Sequence, residues 1–252
     1  MGNTALSKKT SDVTKDITGT AGHMQLWQIR KGVSKETKEP ISIFTFDKND
    51  LLSKDRPGGP ITDRSLQEQI YQIMLRDMQV MKESSCGGVL KIIEIVEESK
   101  NALAFIAEPV ICSIADTLNN FRDIPGGISV HQDFFDSSGV VSEMEISRGL
   151  VQLVEGLQVL HTVKNRLHLN INPESVMITP EGQWKLCSFG FSLAFEIGEH
   201  SRVASPYFLN QSAASPYMRL LPDLRYCGPE MTEGGYNPPS VRYLTTAEDI
   251  FR

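Results

Sequence analysis

One stretch, Leu167 to Gly190, constrains this chain more than any other. It reads Leu-His-Leu-Asn-Ile-Asn-Pro-Glu-Ser-Val-Met-Ile, turns at Pro180-Glu181-Gly182, and ends on Trp-Lys-Leu-Cys-Ser-Phe-Gly. His168, Phe189 and Gly190 stand at set intervals in a largely apolar frame. The polar positions between them carry Asn170, Ser175 and Ser188. Asparagine has nearly the shape of aspartate, but it is uncharged and cannot take a proton at neutral pH. The stretch keeps the outline of a reaction centre and lacks its charge.

A protein-kinase catalytic loop reads H-R-D-L-x-x-x-N and is followed, about a dozen residues later, by D-F-G. In that register His168 holds the histidine position, and Phe189 and Gly190 close the second motif. Asn170 stands at the catalytic aspartate, Ser175 at the metal-binding asparagine and Ser188 at the metal-binding aspartate. Phosphoryl transfer rests on positioning, on magnesium, and on a carboxylate that orients the attacking hydroxyl. Magnesium is usually held by one or two carboxylates plus substrate phosphates, and Ser188 offers only a neutral hydroxyl. The three exchanges together read as a pseudokinase, with no metal site.

The rest of the nucleotide site reads the same way. Pro40-Ile41-Ser42-Ile43-Phe44 fits the strand V-A-I-K, which puts Phe44 at the phosphate-pairing lysine. Counting back from Trp27 places Gly19, Ala21 and Met24 at the three glycines of the phosphate loop, with Gly22 out of register. Backbone that must approach phosphate closely needs glycine, and Met24 obstructs that approach. No cofactor is expected. Were ATP to bind, Gly19 and Gly22 would cover it, and the backbone of Glu108 and Val110 would flank the adenine.

The landmarks follow kinase order: the strand to Phe44, a hinge-like break at Glu108-Pro109, a helix to His161, the His168 loop and Ser188-Phe189-Gly190. Gly228-Pro229-Glu230 then resembles A-P-E, and Asp249 the aspartate that opens the next core helix. The expected fold is α+β and bilobal, with a β-rich N-lobe and a helical C-lobe cut short in its central helix, as in a fragment. Residues 1–12 read as a polar, disordered terminus, 13–107 as the N-lobe and 108–252 as a partial C-lobe. Strands are expected at Leu26–Arg30, Ile41–Phe46, Leu90–Val96 and Ala102–Ala107, with a loop at 56–60 and helices over Asp63–Lys82, Ser113–Phe121 and Ser142–His161. In the last helix Ile146, Leu150, Leu153, Val154, Leu157 and Leu160 share one face. Asp77 falls near the helix position that pairs with the lysine. Opposite Phe44 it has no such partner, and a solvated face is expected. Aromatics near 134–135 follow a Pro-Gly-Gly loop, and 188–230 reads as a long activation segment.

Composition narrows the partners. With 252 residues, 40% hydrophobic and 22% charged, the chain fits an ordinary globular protein. A net charge of −6 argues against nucleic acid, whose binders are basic. Cys86, Cys112, Cys187 and Cys227 form no C-x-x-C pair, and the five histidines lack ligand spacing, so reduced cytosolic thiols are expected. No run of eighteen apolar residues is present. The start, Met1-Gly2 to Lys9, partly fits an acylation site, with Leu6 where Ser or Thr is preferred. Acylation of Gly2 would give only reversible peripheral membrane association.

Several stretches resemble the SCY-like, coated-vesicle-associated pseudokinases: Trp27 with Ile29, Ile43 to Lys48, Glu97 to Phe105 running into Glu108-Pro109-Val110, Asn170 to Glu174, and Trp184-Lys185. Its most specific parts are Phe44 and Asn170, and the chain departs from it at Met24 and Leu169. The resemblance covers roughly 15–252. It implies a catalytically inactive protein-kinase-like scaffold in clathrin- or coatomer-dependent vesicle trafficking. Such a scaffold would be cytoplasmic, peripheral at Golgi or endosomal membranes, and hold protein partners such as coat components. The alternative is an atypical, weak ATP-binding Ser/Thr kinase.

Overall fold

A five-strand antiparallel path carries the small lobe, in the order β1 (Thr10–Ser11), β3 (Trp27–Ser34), β4 (Pro40–Asp47), β6 (Ala102–Ala107) and β5 (Ile92–Glu98). The short strand β2 (Gly19–Ala21) pairs off this path with β3, Gly19 opposite Ile29. The computed structural model describes residues 10–54, 59–118, 141–195, 203–204, 216–228 and 243–244. Gly2, the 56–58 part of the first loop, residues 134–135, Pro229-Glu230 and Asp249 lie outside them.

The β3 and β4 strands run longer than their apolar cores suggest, because the turn between them is tight: Ser34 N–H donates to Glu39 O. Thr10 and Ser11 fall in the span expected to be disordered, yet they pair with Ser34 and Val33. A backbone edge beside them offers unpaired donors and acceptors, and polar residues satisfy these as well as apolar ones do.

Helix α1 (Arg64–Glu83) forms as expected. Leu66, Ile70, Met74, Met78 and Met81 recur at helical spacing and are all buried. Asp63 caps its start, its carboxylate accepting from Ser65 N (2.8 Å) and Leu66 N (3.3 Å), an arrangement that contributes about 1 kcal/mol. After the hinge come β7 (Cys112–Ser113) and a short helix α2 (Ile114–Leu118). Helix α3 (Glu143–Thr162) starts at Ser142, whose hydroxyl accepts from Glu145 N.

The face that α3 buries differs from the expected one. Gly149, Leu153, Gly156, Leu157 and Leu160 are buried, while Ile146 and Leu150 are each 41% exposed and Val154 60%. The two glycines explain the rotation, since they let neighbours press directly on the helix backbone. A methyl on Gly149 would sit 2.1 Å from the Trp184 ring, and one on Gly88 would sit 2.3 Å from Gly156 Cα.

Below the hinge, β8 (Arg166–Leu167) pairs with β11 (Leu193–Ala194). β9 (Val176–Ile178) pairs with β10 (Trp184–Leu186) and with β7. A last pair joins β12 (Val203–Ala204) to β13 (Tyr243–Leu244). The lobes are stitched at Leu186, whose N–H donates to Gly88 O and whose carbonyl accepts from Leu90 N. One apolar core runs from Trp27 and Phe44 through the methionines of α1 to Leu160 and Phe189.

The Gly88–Gly156 contact is backbone against backbone and cannot be relieved by a rotamer change. Gly88→Ala is therefore expected to cost about 1–3 kcal/mol, read as a lower midpoint in denaturant unfolding. An unchanged midpoint would mean that the two segments do not touch.

Candidate functional site

The loop from His168 to Ser175 is built around one residue that sequence reasoning passed over, Asn172. Its side-chain oxygen accepts from Glu174 N (2.9 Å) and Ser175 N (3.1 Å), capping the 3-10 turn Pro173–Ser175. Ser175 answers by accepting from Asn172 N and donating to Asn172 O, both at 2.9 Å. The hydroxyl at the expected metal-ligand position is thus spent on the loop's own backbone.

The other two exchanged positions meet directly. Asn172 Nδ2 donates to Asn170 Oδ1 (3.0 Å), and Asn170 Nδ2 donates to Ser188 Oγ (2.9 Å). Asn170, Asn172, Ser175 and Ser188 are all buried. Leu169 (φ 61°) and Ser188 (φ 70°) both take left-handed backbone, which costs a non-glycine residue of order 1 kcal/mol. Buried polar groups must be paired, and a neutral chain avoids the heavier desolvation of a buried carboxylate.

His168 acts as a fully buried spacer. Its Nε2 donates to Cys187 O (2.9 Å), its Nδ1 accepts from Asn170 N, and its ring meets Phe189 edge-on with centroids 4.6 Å apart.

Phe44 is buried and stacks on Phe105, with centroids 4.7 Å apart and planes within 9°. Trp27 packs edge-on to the same ring at 4.9 Å. Opposite stands Asp77, 1% exposed and not on a solvated face. One carboxylate oxygen accepts from Trp27 Nε1 (2.8 Å) and the other from Phe189 N (2.6 Å). Burial raises its pKa to about 6, and the two hydrogen bonds oppose that rise. The tryptophan, first a landmark for counting, supplies a donor where a kinase uses lysine.

The groups expected to flank a nucleotide are engaged within the protein. Val110 N–H donates to Ser42 Oγ at 2.9 Å in a buried bond. Glu108 N donates to Lys91 O (3.1 Å), and the Glu108 carboxylate accepts from Lys91 N (2.8 Å). Asp116 accepts from Thr20 N and Thr20 Oγ1 (3.0 Å) and from Ser113 N (2.9 Å). A Cβ on Gly19 would stand 2.9 Å from that carboxylate. Gly22 takes φ +74°, and a Cβ there would stand 2.6 Å from Trp27 Cδ1, so both its conformation and its space require glycine. Gly22 N donates to Glu174 O (2.8 Å).

Of the eight expected positions, Asn170 and Ser188 touch, Ser175 joins them through Asn172, and Phe44 stacks on the ring that Trp27 also meets. Gly22 reaches the same loop through Glu174 O, Gly19 lies beside Asp116, and Glu108 and Val110 pair with Lys91 and Ser42. Ser42, Trp27, Asp77, Asp116, Asn172 and Glu174 were missed as participants. For Ser42 the sequence held a signal, a hydroxyl where V-A-I-K has a methyl. A cavity of about 570 Å³ remains at the mouth, lined by His23, Gln25, Asn170, Glu174, Asp223 and Arg225 among others. Among the described residues no three His, Cys, Asp or Glu side chains cluster as metal ligands.

The protein kinase domain family model matches residues 60–251. Murine SCY1-like protein 2 is 30% identical over 203 residues, covering 75% of this chain and 20% of that protein. The protein kinase domain-containing protein ppk32 of Schizosaccharomyces pombe is 30% identical over 173 residues, covering 68% of this chain and 23% of its own length. The protein kinase-like protein SCY1 of Saccharomyces cerevisiae is 26% identical over 241 residues, covering 88% and 28%. This chain thus spans between a fifth and about a quarter of these relatives.

Replacing Asp77 tests the bridge. Asp77→Ala leaves Trp27 Nε1 and Phe189 N as buried donors without an acceptor, at about 1–3 kcal/mol each. Release of a buried charge offsets part of this, so a net loss of about 2 kcal/mol is expected in denaturant unfolding, with a change in tryptophan emission. A variant as stable as the parent would contradict the bridge.

Proposed function

Because the chain belongs to the protein kinase domain family, we propose that it serves there as a catalytically inactive scaffold whose cleft is closed by its own side chains. The observation that carries this reading is the buried chain Asn172–Asn170–Ser188. Phosphoryl transfer needs a carboxylate at the attacking hydroxyl and oxygen ligands for magnesium. Neutral amides and a hydroxyl, each already paired, supply neither. Phe44 stacked on Phe105 adds an apolar plug where a cation would meet phosphate. Val110 N–H, the donor an adenine would need, is held by Ser42.

A domain of this kind acts through its surface. By its resemblance to the SCY-like pseudokinases, the scaffold holds vesicle-coat proteins in clathrin- or coatomer-dependent traffic, on the cytoplasmic side of Golgi or endosomal membranes. Among the described residues no helix is long and apolar enough to cross a membrane.

Thermal melting with ATP, magnesium or EDTA tests the proposal. A ligand that binds the native state raises its stability in proportion to ln(1 + [L]/Kd), so no shift is expected with ATP, with or without magnesium. A magnesium-dependent rise, together with phosphate transfer, would instead make the domain a weak Ser/Thr kinase.

A further inference from the structure

We propose that the outer face of the small lobe carries a second binding site, a groove around Arg30 that holds an extended peptide of a partner protein. The peptide is gripped by an acidic side chain and, two residues away, a basic one. Side chains along a strand alternate between the two faces of a sheet. In β4, Phe44 and Phe46 enter the core, so Ile43, Thr45 and Asp47 face the other way. These three line a cavity of about 970 Å³ together with Lys15, Arg30 and Glu97. Arg30 stands on β3 and Glu97 on β5, with β4 and β6 between them.

Arg30 is set up to receive an anion. Its guanidinium is held by two neutral acceptors, Nη1 donating to Thr45 Oγ1 (2.9 Å) and Nη2 to Gln28 Oε1 (3.3 Å). Two of its five N–H donors are used in this way, which leaves three in a rigid fork that matches a carboxylate. Gln28 is fixed in turn by donating to Asp50 Oδ2 (2.9 Å). The acidic groups of the groove are likewise met by neutral donors. Asp47 accepts from Asn49 N (2.8 Å), and Glu97 accepts from Ser99 Oγ (3.0 Å). Among the described residues the ion pairs are Lys48–Glu68, Arg148–Glu145 and Arg225–Asp223, and none involves Arg30, Asp47 or Glu97.

The presence of both signs selects the ligand. A phosphate, a nucleic acid or an anionic membrane would be attracted by Arg30 and Lys15 but repelled by Asp47, Asp50 and Glu97. A peptide with one acid and one base matches both. The Arg30 guanidinium lies at Thr45, two residues along β4 from Asp47, a separation of about 7 Å. Glu97 lies two strands from Thr45, through Ala104, at about 10 Å. Side chains two apart in an extended peptide share a face at about 7 Å, and the flexible stem of lysine spans the remainder.

Titration of the full chain with the terminally blocked peptide Thr-Thr-Glu-Val-Lys-Thr-Thr tests the site. The NMR signals of Arg30 Nε–H and of the Thr45 and Ala104 amides are the readout. Saturable shifts in the millimolar range are expected. Binding should be about tenfold weaker for Arg30→Gln, and for the peptide with Gln in place of Glu. These two losses should not add, because both remove one pairing. Glu97→Gln, on the opposite wall, is expected to weaken the parent peptide several-fold and to leave a peptide with Gln in place of Lys unaffected. That variant keeps the test decisive should R30Q fail to fold. No shift at millimolar peptide, or parent-like binding in R30Q or E97Q, overturns the site. Inorganic phosphate or phosphatidylserine vesicles moving the same signals while the peptide does not would overturn it as well.

Discussion

Asp77 is the point on which the rest of this cleft depends. In a kinase the corresponding helix is tied to the sheet by a carboxylate–lysine pair, and here the lysine position is Phe44. The helix keeps its place because the carboxylate has two other donors, an indole N–H from the sheet and a backbone N–H from the Ser188-Phe189-Gly190 turn. Each oxygen ties α1 to a different element. Burying a charge without a cation is costly, and the raised pKa records that cost. Hydrogen bonds to a charged acceptor are stronger than neutral ones, which offsets part of it.

Around this bridge, several donors that line the cleft meet partners within the protein. Ser42 takes the hinge amide, Asp116 takes Thr20, and the Glu174 carbonyl takes Gly22 N. Asn172 organises the catalytic loop by satisfying two amides of its own turn. Phe44, Phe105 and Trp27 pack on one another from neighbouring strands of the small lobe, which stabilises it through burial and edge-to-face contact. Buried residues of the two lobes form one continuous core.

Much of this was legible from residues alone. The helical spacing of Leu66, Ile70, Met74, Met78 and Met81, with Asp63 before it, is a strong local signal, and α1 lies within a residue of the expected range. The landmarks His168, Phe189, Phe44 and Asn170 were readable because their order and spacing are rigid. The misses share one cause: they depend on which distant partner a side chain meets. Asp77 looks solvated when only its missing lysine is considered, and its burial depends on a tryptophan fifty positions away. The face of α3 was misjudged because glycine carries no hydropathy signal, yet Gly149 and Gly156 admit Trp184 and Gly88 and so choose the buried side. Thr10 and Ser11 carry no apolar pattern and join the sheet through backbone alone.

The central claim is that the nucleotide-facing groups of this cleft are already paired within the chain. The backbone amide of Val110 reports on it most directly, because its partner is the Ser42 hydroxyl and an adenine would have to displace that bond. Its NMR chemical shift, followed while ATP and magnesium are titrated in, should stay where it is. A saturable movement of that resonance, shared by Glu108, would show a hinge open to nucleotide and would contradict the account.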